Sequence, residues 1–128
     1  MGMHPLAIVT MVRGDYPMLD LWVRHHEALA GSPDHLVVIS HGADPRHDRL
    51  ARGCSRLVVP QDSTGAGFEP RRVALLHGLV GGLLGYYRHV VVLDTDEFLV
   101  AAPGCAPARD LAGYLDNADL QGVALSPL

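Results

Sequence analysis

The chain lacks the phosphate-binding loops that most nucleotide enzymes carry. It contains no GxxxxGK[ST] run, and no GxGxxG follows its first apolar segment. Walker-type and dinucleotide chemistry are therefore disfavoured, and any bound phosphate needs a metal to neutralise much of its charge. Long apolar runs are also missing. The longest, Val73 to Tyr87, is about 15 residues and includes His77 and four glycines, short of the ~20 needed to cross a bilayer. A buried helix is expected there. Its Gly81 and Gly85 fit close packing on a sheet as well as a membrane contact. The start, MGMHPLAIVTMVRGD, shows no charged leader and no small-residue cleavage site, so no signal peptide is read. Cysteine is scarce: Cys54 and Cys105 fit no metal spacing. They read as free thiols of a cytoplasmic protein, with one disulfide as the alternative. Basic excess is absent, since 10 Lys and Arg face 14 Asp and Glu for a net charge of −4, which argues against a nucleic-acid partner. None of the eight histidines falls in an HExxH or comparable ligand pattern, which disfavours a histidine zinc site.

What is present is a globular composition, 48% hydrophobic and 19% charged, in 128 residues without repeats or low-complexity tracts. That suffices for one domain with a core. Its most informative segment is Val90 to Val100, VVVLDTDEFLV. Val90 to Leu93 reads as a short buried strand. Asp94 and Asp96 follow at its carboxyl end, where alternation points both side chains the same way. Two carboxylates so placed repel unless a positive charge joins them, and a divalent cation with oxygen ligands meets that need. In open α/β sheets, ligands bind outside the carboxyl ends of the strands. The plainer reading makes these residues turn formers or caps. Against it, Glu97 adds a third carboxylate and Phe98-Leu99-Val100 returns at once to apolar residues.

Strands and helices are expected to alternate. The first strand is Leu6 to Val12. Asp15 or Tyr16 caps a helix over Met18 to Ala30, with Met18, Trp22, His25 and Leu29 on one face and Gly31-Ser32-Pro33 as its stop. His35 to Ser40 is the second strand, a helical turn spans Asp48 to Arg52, and Arg56 to Val59 is the third strand. A loop over Pro60 to Pro70 leads into a long helix, Arg71 to Tyr87. After the DTDEF strand, a helix over Ala108 to Asn117 and a strand over Gly122 to Leu125 complete the pattern. This order predicts a three-layer αβα arrangement around a mostly parallel sheet, with the acidic pair on an inner strand.

Three segments in this order, IVTMVRGDYPMLDLWVRHHEALAG, HLVVISHGADP and VVVLDTDEFLV, resemble nucleotide-sugar glycosyltransferases of the GT-A type, close to family 2-like and family 92-like members with a DxDEF motif. The match covers roughly residues 6 to 100. It implies a Rossmann-like GT-A fold, a nucleoside-diphosphate sugar donor, an unidentified acceptor, and Mn²⁺ or Mg²⁺. It also implies roles. Thr10, Val12 and Arg13 would line the donor pocket, and Asp44 would lie near the base. Asp94 would approach the ribose or the metal, and Asp96 would ligate the metal on the diphosphate. Arg71 or Arg72 would hold the donor, with a solvated surface role as the alternative for each. Glu97 would brace the loop.

The expected reaction transfers a sugar to an acceptor hydroxyl. The metal stabilises the leaving diphosphate and a carboxylate acts as base. The family's acceptor half is expected beyond Leu128, so the chain reads as a truncated piece, a natural donor-binding half or a degenerate member. Asp110, Asp116 and Asp119 are candidate bases by chemistry only, and Asp110 also suits a helix cap. Two other readings stay open. One is a noncatalytic nucleotide-binding or self-associating module. The other is a haloacid-dehalogenase-type phosphatase, although there the Asp pair normally follows the first strand.

Overall fold

The computed structural model describes residues 4–61 and 68–100. The sequence-expected helix and strand beyond Ala108, the three candidate bases there, Cys105 and most of the Pro60 to Pro70 loop lie outside these residues. Four strands alternate with three helices: β1 His4–Val12, α1 Tyr16–Ala30, β2 Leu36–His41, α2 Pro45–Leu50, β3 Ser55–Val59, α3 Phe68–Leu83 and β4 Tyr87–Val92. A 3-10 turn, Pro33–His35, leads into β2. The strands form one all-parallel sheet in the order β3-β2-β1-β4.

β1 is the centre. Leu6, Ala7, Ile8, Val9 and Thr10 are all buried, as expected of a parallel strand covered on both faces. Alternation divides the apolar side chains into two clusters. Leu6, Ile8, Leu36, Val38, Val91 and Leu93 face α1, packing with Leu19, Trp22 and Val23. Val9, Val37 and Ile39 face the other way and pack with Leu76 of α3. Helices thus occupy opposite faces of the sheet, an arrangement compatible with a three-layer αβα fold. The reason is chirality. Right-handed crossovers from β1 outward through β2 to β3 place their connections on one face. The return from β3 across to β4 runs in the reverse direction and puts α3 on the other.

Several boundaries differ from the sequence reading. The long helix ends at Leu83 instead of Tyr87. The chain turns as the Gly85 amide donates to the Gly82 carbonyl and the Tyr86 amide to the Leu83 carbonyl, and Tyr87 pairs in register with His4. A strand ladder at a β-prone tyrosine overrides apolar helical continuity. This helix is also less buried than expected: among its described side chains only Leu76 is buried, while Val73 is exposed. The inward stripe of α1 is Leu19, Trp22, Val23, His26 and Leu29, so Met18 and His25 fall off it. The helical turn begins at Pro45 because Asp44 caps it, accepting from the Arg46 amide at 2.9 Å; proline suits a first helical position. Finally, β4 is the outermost strand among the described residues, and the further strand that would make it an inner one lies outside them. Cys54 is a buried free thiol, and burial pushes its pKa up to about 11. No described helix is long and apolar enough to cross a membrane.

His26 is fully buried against Trp22, and burial pushes its pKa down to about 4. The unfolded chain, with a histidine near 6.5, then binds more protons than the native one between these values. The stability contributed by neutral His26 is complete above about pH 6.5 and is lost as pH falls toward 4. It amounts to on the order of 2 kcal/mol once residual solvent screening is allowed for. Urea midpoints measured from pH 7 to pH 4 are expected to fall more steeply in the wild type than in His26→Phe.

Candidate functional site

The strand order reverses between β1 and β4, and an open cleft of about 410 Å³ lies at their carboxyl ends. A reversal of this kind leaves a crevice because the two flanking connections depart to opposite faces. Met11, Val12, Arg13 and Asp15 contribute one wall after β1; Asp94, Thr95 and Asp96 contribute the other after β4; Glu69 and Arg72 of α3 close a third side.

The wall after β1 turns sharply. Gly14 has φ 64° and Asp15 has φ 52°, the one positive φ of a non-glycine among the described residues. A left-handed residue with a side chain costs on the order of 1 kcal/mol and is held only by its surroundings. Here the His47 Nε2–H group donates to the Gly14 carbonyl at 3.0 Å. The Leu19 amide donates to the Asp15 carbonyl at 3.0 Å. No side chain caps α1, although Asp15 occupies its N-cap position. Pro17 in the first turn has no amide hydrogen, so one of the amides that a helix start leaves without a partner is absent here.

The wall after β4 is held from beneath. The Leu93 amide donates to Val9 O at 2.9 Å, the last rung of the ladder. Thr95 points inward and is buried. Its Oγ1 lies 3.1 Å from Thr10 Oγ1 and donates to Met11 O at 3.4 Å. Asp94 and Asp96, on either side, are exposed toward the cleft. Glu97 braces the turn from both directions: its carboxylate accepts from the Asp94 amide at 2.6 Å, and its amide donates to Asp94 O at 3.0 Å.

Charge across the cleft is uneven. Arg72 donates to Asp94 Oδ1 at 2.7 Å and lies 3.7 Å from Glu69. Asp96 and Asp15 make no side-chain hydrogen bond or ion pair among the described residues. Four carboxylates therefore face two guanidinium groups, those of Arg13 and Arg72. Among the described residues no three His, Cys, Asp or Glu side chains converge on a metal centre. Asp94 and Asp96 suit a cation of the magnesium kind, which takes one or two carboxylates and completes its shell with water and phosphate oxygens.

Of the eight residues singled out from the sequence, Val12, Arg13, Arg72, Asp94 and Asp96 line this cleft. Thr10, Asp44 and Arg71 do not. Thr10 sits below the floor and holds Thr95. Asp44 ties α1 to α2: it accepts from Tyr16 O–H at 2.6 Å as well as capping α2. The Tyr16 hydrogen bond holds the Asp44 carboxyl below its usual range, and raises the Tyr16 phenol in turn. Arg71 is exposed at the start of α3. Sequence reasoning missed Asp15, Glu69 and Thr95. Glu69 was signalled by its i,i+3 spacing to Arg72, and Thr95 by its inward phase between the two aspartates. Comparison with known protein families, with characterised proteins and with solved structures gives no match.

The two threonine hydroxyls join the β1 and β4 sides of the cleft beneath its floor. Thr10→Val keeps the shape and removes one partner, leaving Thr95 the Met11 carbonyl. Denaturant unfolding is expected to show a loss of about 1 kcal/mol.

Proposed function

We propose that this domain binds a nucleoside-diphosphate sugar together with Mn²⁺ or Mg²⁺ and transfers the sugar to an acceptor hydroxyl, as a GT-A type glycosyltransferase. The observation that carries the reading is the juxtaposition of Asp94 and Asp96 with Arg13 and Arg72 at the point where the strand order reverses. A site for a diphosphate needs cationic side chains and free backbone donors on one side, and carboxylates for a cation on the other. Arg13 and Arg72 supply the cationic side chains of the first requirement. The aspartates supply the second.

The roles follow from position. Asp96, with no side-chain partner among the described residues, would be the principal ligand of the cation. Asp94 would contribute the oxygen not held by Arg72. A bound cation would neutralise charge that develops on the departing diphosphate as the anomeric C–O bond breaks. Arg72 would hold the donor phosphates while keeping Asp94 in place. Val12 forms part of the pocket wall, and Thr10 fixes the acidic loop from below. Asp15 and Glu69 are the remaining carboxylates of the cleft and the candidates for activating an acceptor hydroxyl.

Isothermal titration with UDP, GDP and CMP, with and without Mn²⁺, tests the binding step. Asp96→Ala is expected to weaken Mn²⁺-dependent nucleotide binding at least tenfold, matching the effect of EDTA on the wild type. Nucleotide binding that is indifferent to both EDTA and Asp96→Ala would refute the site assignment. Arg72→Gln gives a second, opposed signature. It should raise affinity for bare Mn²⁺, because Asp94 loses its internal cation, and lower affinity for the nucleotide. A radiolabelled-donor assay against sugar and lipid acceptors separates transfer from binding alone.

A further inference from the structure

The segment that leaves the acidic loop is gripped by two neighbouring histidines of α1. His25 Nε2 lies 2.5 Å from the Leu99 carbonyl oxygen. The Leu99 amide donates to His26 Nε2 at 3.2 Å. Phe98 stacks on the His26 ring at 5.7 Å and meets the His25 ring edge-on at 5.4 Å. Both polar backbone groups of one residue, and the side chain before it, are thus held from a single helical turn. Asp96 lies three positions upstream.

Hydrogen-bond chemistry fixes the protons. A carbonyl can only accept, so His25 presents Nε2–H to Leu99 O. His26 Nδ1 lies 2.8 Å from Trp22 O and must carry a proton for it. Its Nε2 faces the Leu99 N–H donor and must therefore be bare. The two bonds respond oppositely to acid. Protonated His25 still donates to Leu99 O. Protonated His26 sets a second N–H against the Leu99 N–H, and that bond is lost.

We infer that His25 and His26 form an acid-sensitive clamp that positions the Asp94–Glu97 loop from outside the cleft. The clamp holds while His26 is neutral and releases when His26 takes a proton. It bears on ligand binding only through the reading of the cleft given above. Among the described residues, the titratable group that acts on His26 is His25. His25 is on its own helix, and Phe98, Leu99 and Val100 carry no such group. In the apolar cluster under α1 only Cys54 can ionise, and it stays neutral across the acid range.

Amide hydrogen exchange on the ligand-free chain tests the clamp. His26→Phe keeps the ring and removes the acceptor; the exposed His25→Ala guards against a failure to fold. Both variants are expected to lose at least tenfold protection at Leu99, and also at the Asp94 and Glu97 amides that close the loop. The wild type should approach the His26→Phe pattern as pH falls from 6.5 toward 4, while the variant's profile stays flat. Unchanged protection at Leu99, or loss confined to Leu99 with Asp94 and Glu97 unaffected, would overturn the inference. Titration of UDP with Mn²⁺ forms the second arm. Weaker binding by both variants supports the clamp's reach into the cleft, and equal binding overturns it. A wild type that binds no nucleotide refutes the reading of the cleft, and exchange still decides the clamp.

Discussion

Everything in this fold depends on β1 being covered on both faces and paired on both edges. A strand with Leu6 to Thr10 fully buried must have every backbone group matched in a ladder, since unpaired buried amides cost several kcal/mol in an apolar setting. Parallel neighbours on both sides satisfy that demand. Parallel neighbours also require crossovers, and crossovers have one hand. Once β2 lies on one side of β1 and β4 on the other, the helices must lie on opposite faces and the chain ends must part. The cleft is a consequence of how β1 is buried, and the residues that line it come from the carboxyl ends of β1 and β4 and the start of α3.

Polar groups near the cleft are arranged to hold backbone in place. His47 bridges Ser40 Oγ at 2.7 Å and the Gly14 carbonyl, so the connections after β1 and β2 are locked to each other. Thr10 and Thr95 join β1 to the acidic loop. His25 and His26 hold that loop's exit. Each of these side chains supplies a partner where the ladder ends and the backbone would otherwise lose one, which is the accounting that buried loops impose. The high histidine content has this use: an imidazole offers a donor and an acceptor about 2 Å apart on one rigid ring, and so can link two chain segments.

The sequence made the strands and the acidic pair legible because both rest on period-two patterning. Val90 to Leu93 followed by DTD reads the same in isolation as in the sheet: Thr95 in, Asp94 and Asp96 out. Helix limits were less legible. The apolar run through Val73 to Tyr87 gave no local sign of where helix yields to strand, since the decision is made by the distant pairing of Tyr87 with His4. The structural contacts of Thr10 and Asp44 were illegible for a related reason. Each sits at a strand or loop end where a ligand contact and a structural hydrogen bond look alike. Only the positions of Thr95 and Tyr16, at separations of 85 and 28 residues, distinguish the two. His26 was hidden because His25 is its neighbour, and a one-residue shift of helical phase exchanges which of them is buried.

The electrostatic balance of the cleft narrows what can occupy it. Arg72 already bridges two acids, Asp94 and Glu69, and would share its charge with any bound phosphate. A bare diphosphate entering here would meet Asp15 and Asp96, with Arg13 as the cleft guanidinium not engaged by an acid among the described residues. Repulsion between closely spaced like charges costs about 4 kcal/mol at 4 Å in a partly solvated setting, as much as one guanidinium returns at the same distance. A divalent cation reverses this sign, because it is attracted to Asp94 and Asp96 and to the phosphates alike. The same argument disfavours a bare anion and a simple apolar ligand. On the proposed reading, the occupant would be an anion that arrives with its own cation, with Asp96 as the carboxylate to receive it.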